Sequence, residues 1–311
     1  MFPNLKTATL ALAALSLAVA PAYAAKVASA SVQHEGKART YHVQTPNAAP
    51  TGNLPLVVVL HGGGGSGKAV VGSYGFTPMV DRGEFIALYP DAIKGSWAVG
   101  GVPLGDGKLP GPDFDDVGFV DKAIDAALAQ YPIDRSRIFV TGASRGGHMT
   151  QYFVPRSKHR FAAAGVVINT GTRNVVDSFN PAYPIDFGMI IGTEDPFMPY
   201  AGKPHPDPRA DLMGVEAIMA RYRGVLQTGE TPAVETNLGD RNRRDGCTNS
   251  YTVWQSSSTG ARLALLKVIG GGHVVPGGRQ YLPASAIGRA CSDFRHAEVM
   301  WQFFKEAKPR T

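Results

Sequence analysis

Apolar and polar positions along this chain follow two periods. Short runs of continuous apolar or β-branched residues occur at 56–60 (LVVVL), 85–89 (FIALY), 137–141 (RIFVT), 163–168 (AAGVVI), 189–191 (MII) and 263–269 (LALLKVI). Runs of this length without alternation predict strands buried on both faces. A further strand is expected at 39–44 (RTYHVQ). Between the strands the spacing changes. Val117, Val120, Ile124, Ala127 and Tyr131 recur at helical intervals after Asp116, which is placed to cap the helix. Residues 293–305 predict a final helix. Strands alternating with helices imply an α/β fold around a mostly parallel sheet. No repeat interrupts the pattern. The one long stretch without period is the Gly/Pro-rich tract between Lys94 and Asp116, and a loop of that length in a compact domain is usually functional.

The N-terminus has a different character. Lys6, the apolar run 7–20 and the small-x-small triplet Ala22-Tyr23-Ala24 read as a secretory signal, with cleavage after Ala24. The apolar run is too short to span a bilayer, and no later stretch reaches 18 apolar residues. The expectation is one catalytic domain over residues 25–311, exported to the periplasm or beyond. The two cysteines, Cys247 and Cys291, are an even count in an exported chain, which favours a disulfide over two buried thiols. Two cysteines alone cannot build a zinc site.

Candidate chemistry sits at the strand ends. LHGGGGSGK after the strand 56–60 approaches a phosphate-binding loop, with Gly62, Gly67 and Lys68 in place. The residue after the lysine is Ala69, and a magnesium-binding hydroxyl is required there. The glycines must therefore serve another anion or a plain turn. After RIFVT comes GASRGG, a G-x-S-x-G motif between a strand and a helical pattern. A tight turn of this kind lifts Ser144 above the sheet. GTEDPFMPY follows the strand 189–191 and offers Glu194 or Asp195, of which Asp195, before Pro196, is preferred. GGGHVVPGG follows the last strand and offers His273. A nucleophile, an acid and a base in that chain order, each just past a strand's C-terminal end, suit acyl transfer. The glycine loop then supplies a backbone N–H from Gly63 or Gly64 to the oxyanion, beside that of Arg145. Such chemistry needs no cofactor and no metal.

The segments PLVVVLHGGGGSG, FIALYPDAIKGSW, DVGFVDKAID, YPIDRSRIFVTGASRGGHMT, GTEDPFMPY and VIGGGHVVPGG, with the end helix EVMWQFF, resemble exported esterases of the polyhydroxybutyrate depolymerase and feruloyl esterase group. The resemblance spans nearly all of 39–305. It implies the α/β-hydrolase fold, a mostly parallel central sheet with helices on both faces, and a serine esterase with Ser144, Asp195 and His273 as its triad. It supports a bonded Cys247, since DGC is similar to a family N-G-C segment, and it places Trp97 of the GSW segment near the substrate. This chain departs from the pattern at Val275, where family members usually carry a tryptophan that would form a flat wall for polyester or aromatic acyl groups.

Net charge is +6, and its distribution matters more than its size. From Arg135 to Val176 there are seven Lys or Arg residues and no Asp or Glu. Arg156, Lys158, Arg160 and Arg173 can be a solvated face or a track for a polyanionic substrate. A related kind of enzyme in this fold hydrolyses poly(aspartic acid). The expected partner is thus an ester or polymeric substrate, with amide cleavage of an anionic polymer as the alternative and a catalytically silent binding protein as the third reading. No nucleic-acid partner is expected.

Overall fold

The computed structural model describes residues 27–100 and 114–310. The expected signal, residues 1–24 with its cleavage after Ala24, lies outside them, as does 101–113 of the Gly/Pro-rich tract. Among the described residues ten strands form one sheet: β1 (Val27–His34), β2 (Lys37–Gln44), β3 (Leu54–Leu60), β4 (Ile86–Pro90), β5 (Ile133–Ala143), β6 (Ala163–Val167), β7 (Asp186–Gly192), β8 (Val234–Thr236), β9 (Thr248–Gln255) and β10 (Arg262–Ile269). Their order is β1-β2-β4-β3-β5-β6-β7-β10-β9-β8. The six central strands, β4 to β10, run parallel. The outer pairs are antiparallel. Among the described residues eight α-helices accompany them: α1 (Gly67–Ser73), α2 (Thr77–Asp81), α3 (Asp116–Gln130), α4 (Arg145–Phe153), α5 (Arg173–Ser178), α6 (Val215–Leu226), α7 (Ala284–Ile287) and α8 (His296–Lys305).

The apolar runs behave as their lack of alternation requires. In β3, Leu56, Val58 and Leu60 face one core, shared with Phe119 and Ile124 of α3 and Phe153 of α4. Val57 and Val59 face a second core, shared with Met79 of α2 and with Met300, Trp301 and Phe304 of α8. Both faces of the sheet are covered, as α/β connections demand.

Two expected helix starts shift, for the same reason: the acid is used elsewhere. Asp116 is not the cap of α3. Asp115 caps it, accepting the Gly118 N–H at 2.8 Å. Asp116 is buried, paired with Arg39 at 2.6 Å and accepting the Ala98 N–H at 2.7 Å. Asp293 does not open α8. Its carboxylate accepts the N–H groups of Arg241 and Asn242, both at 3.0 Å, and the helix begins at His296.

Cys247 and Cys291 are bonded, closing a loop of 44 residues in sequence. On the chain-entropy account such a loop contributes about 4 kcal/mol. Thiol titration of the unfolded, unreduced protein is expected to find no free sulfhydryl, and reduction should lower the urea midpoint substantially. Two titrating thiols would contradict this pairing.

Two buried histidines predict a pH dependence. Burial pushes His148 down to about 3, assisted by the Arg145 cation, and burial pushes His296 down to about 4. Unfolded imidazoles take protons near pH 6.5. Between about pH 6.5 and these lower values the unfolded chain binds more protons, so stability falls as pH falls. Burial raises the proton affinity of Asp116, Asp121 and Asp186, and these act in the opposite sense at more acid pH. The urea midpoint should therefore drop between pH 7.5 and 5.5, and drop less in His296→Gln. An equal drop in both proteins would refute the assignment.

Candidate active site

The turn from β5 into α4 is closed by contacts that leave no room for side chains. A Cβ on Gly146 would lie 2.1 Å from the Leu60 carbonyl oxygen, and one on Gly142 would lie 2.3 Å from that of Gly146. Ser144 sits between them at φ 53°, ψ −121°, a left-handed conformation that a serine adopts only under constraint. The turn raises its hydroxyl above the C-terminal edge of the parallel strands.

Two other strand ends meet it there. His273, in the loop after β10, places Nε2 2.9 Å from Ser144 Oγ. Its Nδ1 lies 2.7 Å from Asp195 Oδ2, in the loop after β7. Asp195 is buried, and its Oδ1 accepts the N–H groups of Phe197 at 2.9 Å and Met198 at 2.8 Å. Those two bonds orient the carboxylate. Glu194, the alternative acid, is exposed, and it is Asp195 that bonds the imidazole. The histidine loop is braced from behind: His273 N–H donates to Ile287 at 2.6 Å and Gly277 N–H to Cys291 at 2.8 Å, tying it to the disulfide. A hydroxyl aimed at an imidazole, itself aimed at a buried carboxylate, can lose its proton and attack an acyl carbon.

The glycine loop after β3 lies alongside. His61, directly after β3, holds the start of this loop. Its Nε2 accepts the Ala92 N–H at 3.0 Å, so Nδ1 carries the proton and donates to the Gly62 carbonyl at 2.7 Å. Burial lowers the proton affinity of this ring, which suits the neutral form that both bonds need. The anion site of a phosphate loop is already filled, because the Gly67 N–H donates to Asp91 Oδ1 at 2.6 Å. Of the two expected oxyanion donors, Gly64 is committed to the Gly95 carbonyl at 2.8 Å. Gly63 N–H and Arg145 N–H have no acceptor among the described residues, and both residues line the cleft beside Ser144.

Several residues expected at the substrate are placed elsewhere. Trp97 is fully buried, and its Nε1–H donates to the His61 carbonyl at 2.8 Å. The Arg145 side chain turns inward, donating to the Trp97 carbonyl at 2.7 and 3.0 Å. Burial lowers its guanidinium to about 10, and it remains cationic at neutral pH. Together these bonds clamp the glycine loop to the serine turn. Arg156, Lys158 and Arg160 lie beyond the far end of α4, about 14 Å along the helix from Ser144, at the opposite edge of the sheet. Arg156 stacks on Tyr152 at 3.7 Å, Lys158 pairs with Asp125, and Arg160 lies over the Tyr183 ring at 5.5 Å. Arg173 is nearer, but pairs with Asp211 at 3.1 Å. The stretch lacks acids only along the chain; folding brings Asp125 and Asp211 to it.

Among the described residues two clefts open from Ser144 and His273. The larger, about 670 Å³, is lined by Tyr74, Val274, Val275, Arg279, Tyr281 and Arg295 among others. The smaller, about 420 Å³, is lined by Phe197, Met198, Lys203, His205 and Leu212. Exposed Phe197 stands edge-on to the His273 ring at 5.1 Å, and exposed Tyr281 donates its hydroxyl to the His273 carbonyl at 3.2 Å. Neither was legible in the sequence, because both sit in aperiodic loops; proximity to the acid and base motifs was the only signal. Among the described residues no group of three His, Cys, Asp or Glu is placed to hold a metal ion, and no helix is long and apolar enough to cross a membrane.

No protein-family model matches the chain. It is similar to a protein named as an esterase, NocK, from Nocardia uniformis subsp. tsuyamanensis, with 26% identity covering 80% of this chain and 74% of that protein. It is also similar to a bifunctional acetylxylan esterase/xylanase from Neocallimastix patriciarum, with 25% identity over 78% of this chain and 32% of that one. A third similar protein, named feruloyl esterase C, from Aspergillus niger, shares 27% identity over 54% of this chain and 59% of its own length. Among solved structures, an acetyl xylan esterase from Aspergillus awamori superposes with a TM-score of 0.61 at 15% identity, covering 90% of this chain and 99% of that one. The chain thus has the α/β-hydrolase fold, and its relatives in sequence are named as esterases.

Proposed function

We propose that this chain is a carboxylic ester hydrolase in which Ser144 is the nucleophile, His273 the base and Asp195 the acid that orients it. The observation that carries the reading is the unbroken Ser144–His273–Asp195 hydrogen-bonded line beside two uncommitted N–H groups, those of Gly63 and Arg145. His273 takes the Ser144 proton as Oγ attacks the ester carbonyl. The two N–H groups receive the developing oxyanion, where each such donor is typically worth about 2.7–4 kcal/mol of barrier. His273 then returns the proton to the leaving alcohol, and water repeats the sequence on the acyl-enzyme.

The similar proteins are named for acetylxylan and feruloyl esters. Two clefts meeting at Ser144 give an acyl group and a bulky alcohol separate places, with Phe197 and Tyr281 as apolar faces on either side. We assign the substrate to acyl groups esterified to a carbohydrate. Amide cleavage of an anionic polymer along Arg156, Lys158 and Arg160 has less support, since those side chains lie away from the serine and hold partners of their own. The signal-like N-terminus and the disulfide are consistent with one exported domain over residues 25–311.

Ser144→Ala is expected to lower turnover of p-nitrophenyl acetate by about a million-fold with an unchanged urea midpoint. Asp195→Asn should cost about 10⁴-fold, by holding His273 in the wrong tautomer, while Glu194→Gln stays near the unsubstituted rate. Purified protein should release acetate or ferulate from decorated xylan and leave poly(aspartate) intact. Cleavage of poly(aspartate) alone would reverse the substrate assignment.

A further inference from the structure

Beneath the serine turn runs a file of buried polar side chains that the acyl-transfer steps do not use. Tyr222 of α6 donates its hydroxyl hydrogen to Gln151 Oε1 at 2.5 Å. Gln151 Nε2 donates to Asn169 Oδ1 at 2.6 Å. Asn169 Nδ2 shares its two hydrogens between the Ser144 carbonyl oxygen at 2.9 Å and His148 Nδ1 at 2.5 Å. All four side chains are fully buried. From Tyr222 to His148 Nδ1 the hydrogen bonds run in one consistent direction, so the orientation of both amides is determined; the His148 Nε2–H at the end of the file has no partner among the described residues. His148 must keep Nδ1 bare, and burial beside the Arg145 cation keeps it neutral.

Buried polar groups cost free energy unless they are satisfied, and apolar residues would have filled this space at less risk. The end of the file gives it a purpose. The Ser144 carbonyl already accepts the N–H groups of Gly147 at 2.8 Å and His148 at 3.2 Å, and Asn169 adds a third donor from the side. In a planar trans peptide the carbonyl of residue 144 and the N–H of residue 145 point in opposite directions, so holding one aims the other. We infer that Asn169 is a positioning residue for the oxyanion hole: its amide clamps the Ser144–Arg145 peptide so that the Arg145 N–H points at the substrate oxygen, and Gln151 and Tyr222 hold that amide in place. The third donor also polarises the peptide and strengthens its N–H as a donor. This inference rests on the reading of Ser144 as nucleophile.

The test is Asn169→Ala with p-nitrophenyl acetate, counting competent sites by titration with an irreversible fluorophosphonate. The clamp predicts that kcat per titrated site falls by about ten- to a hundredfold, short of the full loss of an oxyanion donor, with KM changed by less than about twofold. Affinity for an arylboronic acid, whose tetrahedral adduct places an oxygen in the hole, should fall by a similar factor. A purely structural role would reduce the number of titrated sites and leave both the rate per site and the boronate affinity at the unsubstituted values; that result overturns the inference. If Asn169→Ala does not fold, Tyr222→Phe carries the test, removing one hydroxyl at the far end of the file. It should lower kcat per site by about two- to fivefold at constant KM, and an unchanged kcat would overturn the inference. Ser144→Ala separates the two readings. If it remains active, the nucleophile assignment fails. If it is inactive while Asn169→Ala matches the unsubstituted rate per site, only the clamp fails.

Discussion

The close passage of α4 over the end of β3 sets the geometry of the whole upper edge of the sheet. Where Gly146 crosses the Leu60 carbonyl there is room for a hydrogen and no more. That contact holds Ser144 in a left-handed conformation, and it brings the chain after β3 against the chain after β5. The Gly63 and Arg145 N–H groups become neighbours for this reason. A buried sheet of six parallel strands provides the rigidity that such strain needs.

Around that crossing, polar groups are spent on holding backbone in place. The His61 ring bridges Gly62 and Ala92, the Trp97 indole reaches the His61 carbonyl, and the Arg145 guanidinium reaches the Trp97 carbonyl. These bonds join the glycine loop, the segment after β4 and the serine turn into one unit. The side chains of Arg145 and Trp97, which have the chemistry of substrate binders, are therefore scaffold. The disulfide does comparable work for His273, through the 287–291 segment that braces its loop. The proposed oxyanion hole would need donors that do not reorganise, and these bonds hold the Gly63 and Arg145 backbone fixed.

The charge pattern illustrates how far one dimension can mislead. Seven cations without an acid between Arg135 and Val176 suggest a polyanion track in sequence. In the fold, Asp125 and Asp211 come from other elements to Lys158 and Arg173, and α4 carries Arg156 and its neighbours to the opposite sheet edge. The cations that do line the larger cleft, Arg279 and Arg295, lie far along the chain in stretches with no such signal.

The central strands, the α3 and α8 helices and the strand-end positions of Ser144, Asp195 and His273 were legible in the sequence, because continuous apolar runs and glycine-flanked turns are local properties of the chain. The outer strands β1, β8 and β9 were not, since half-exposed strands such as TNSYTVWQ lack that signature. Nor were α5 and α6 foreseen. Tertiary structure alone decided which glycine keeps an N–H without an acceptor among the described residues, and whether the Trp97 and Arg145 side chains face substrate or core. Each of those outcomes depends on a partner distant in sequence: Gly95 takes the Gly64 N–H, and the carbonyls of His61 and Trp97 take the indole and the guanidinium. Residue type and spacing along the chain set what a side chain can bond, but only the packing of separate strand ends against one another sets what it does bond.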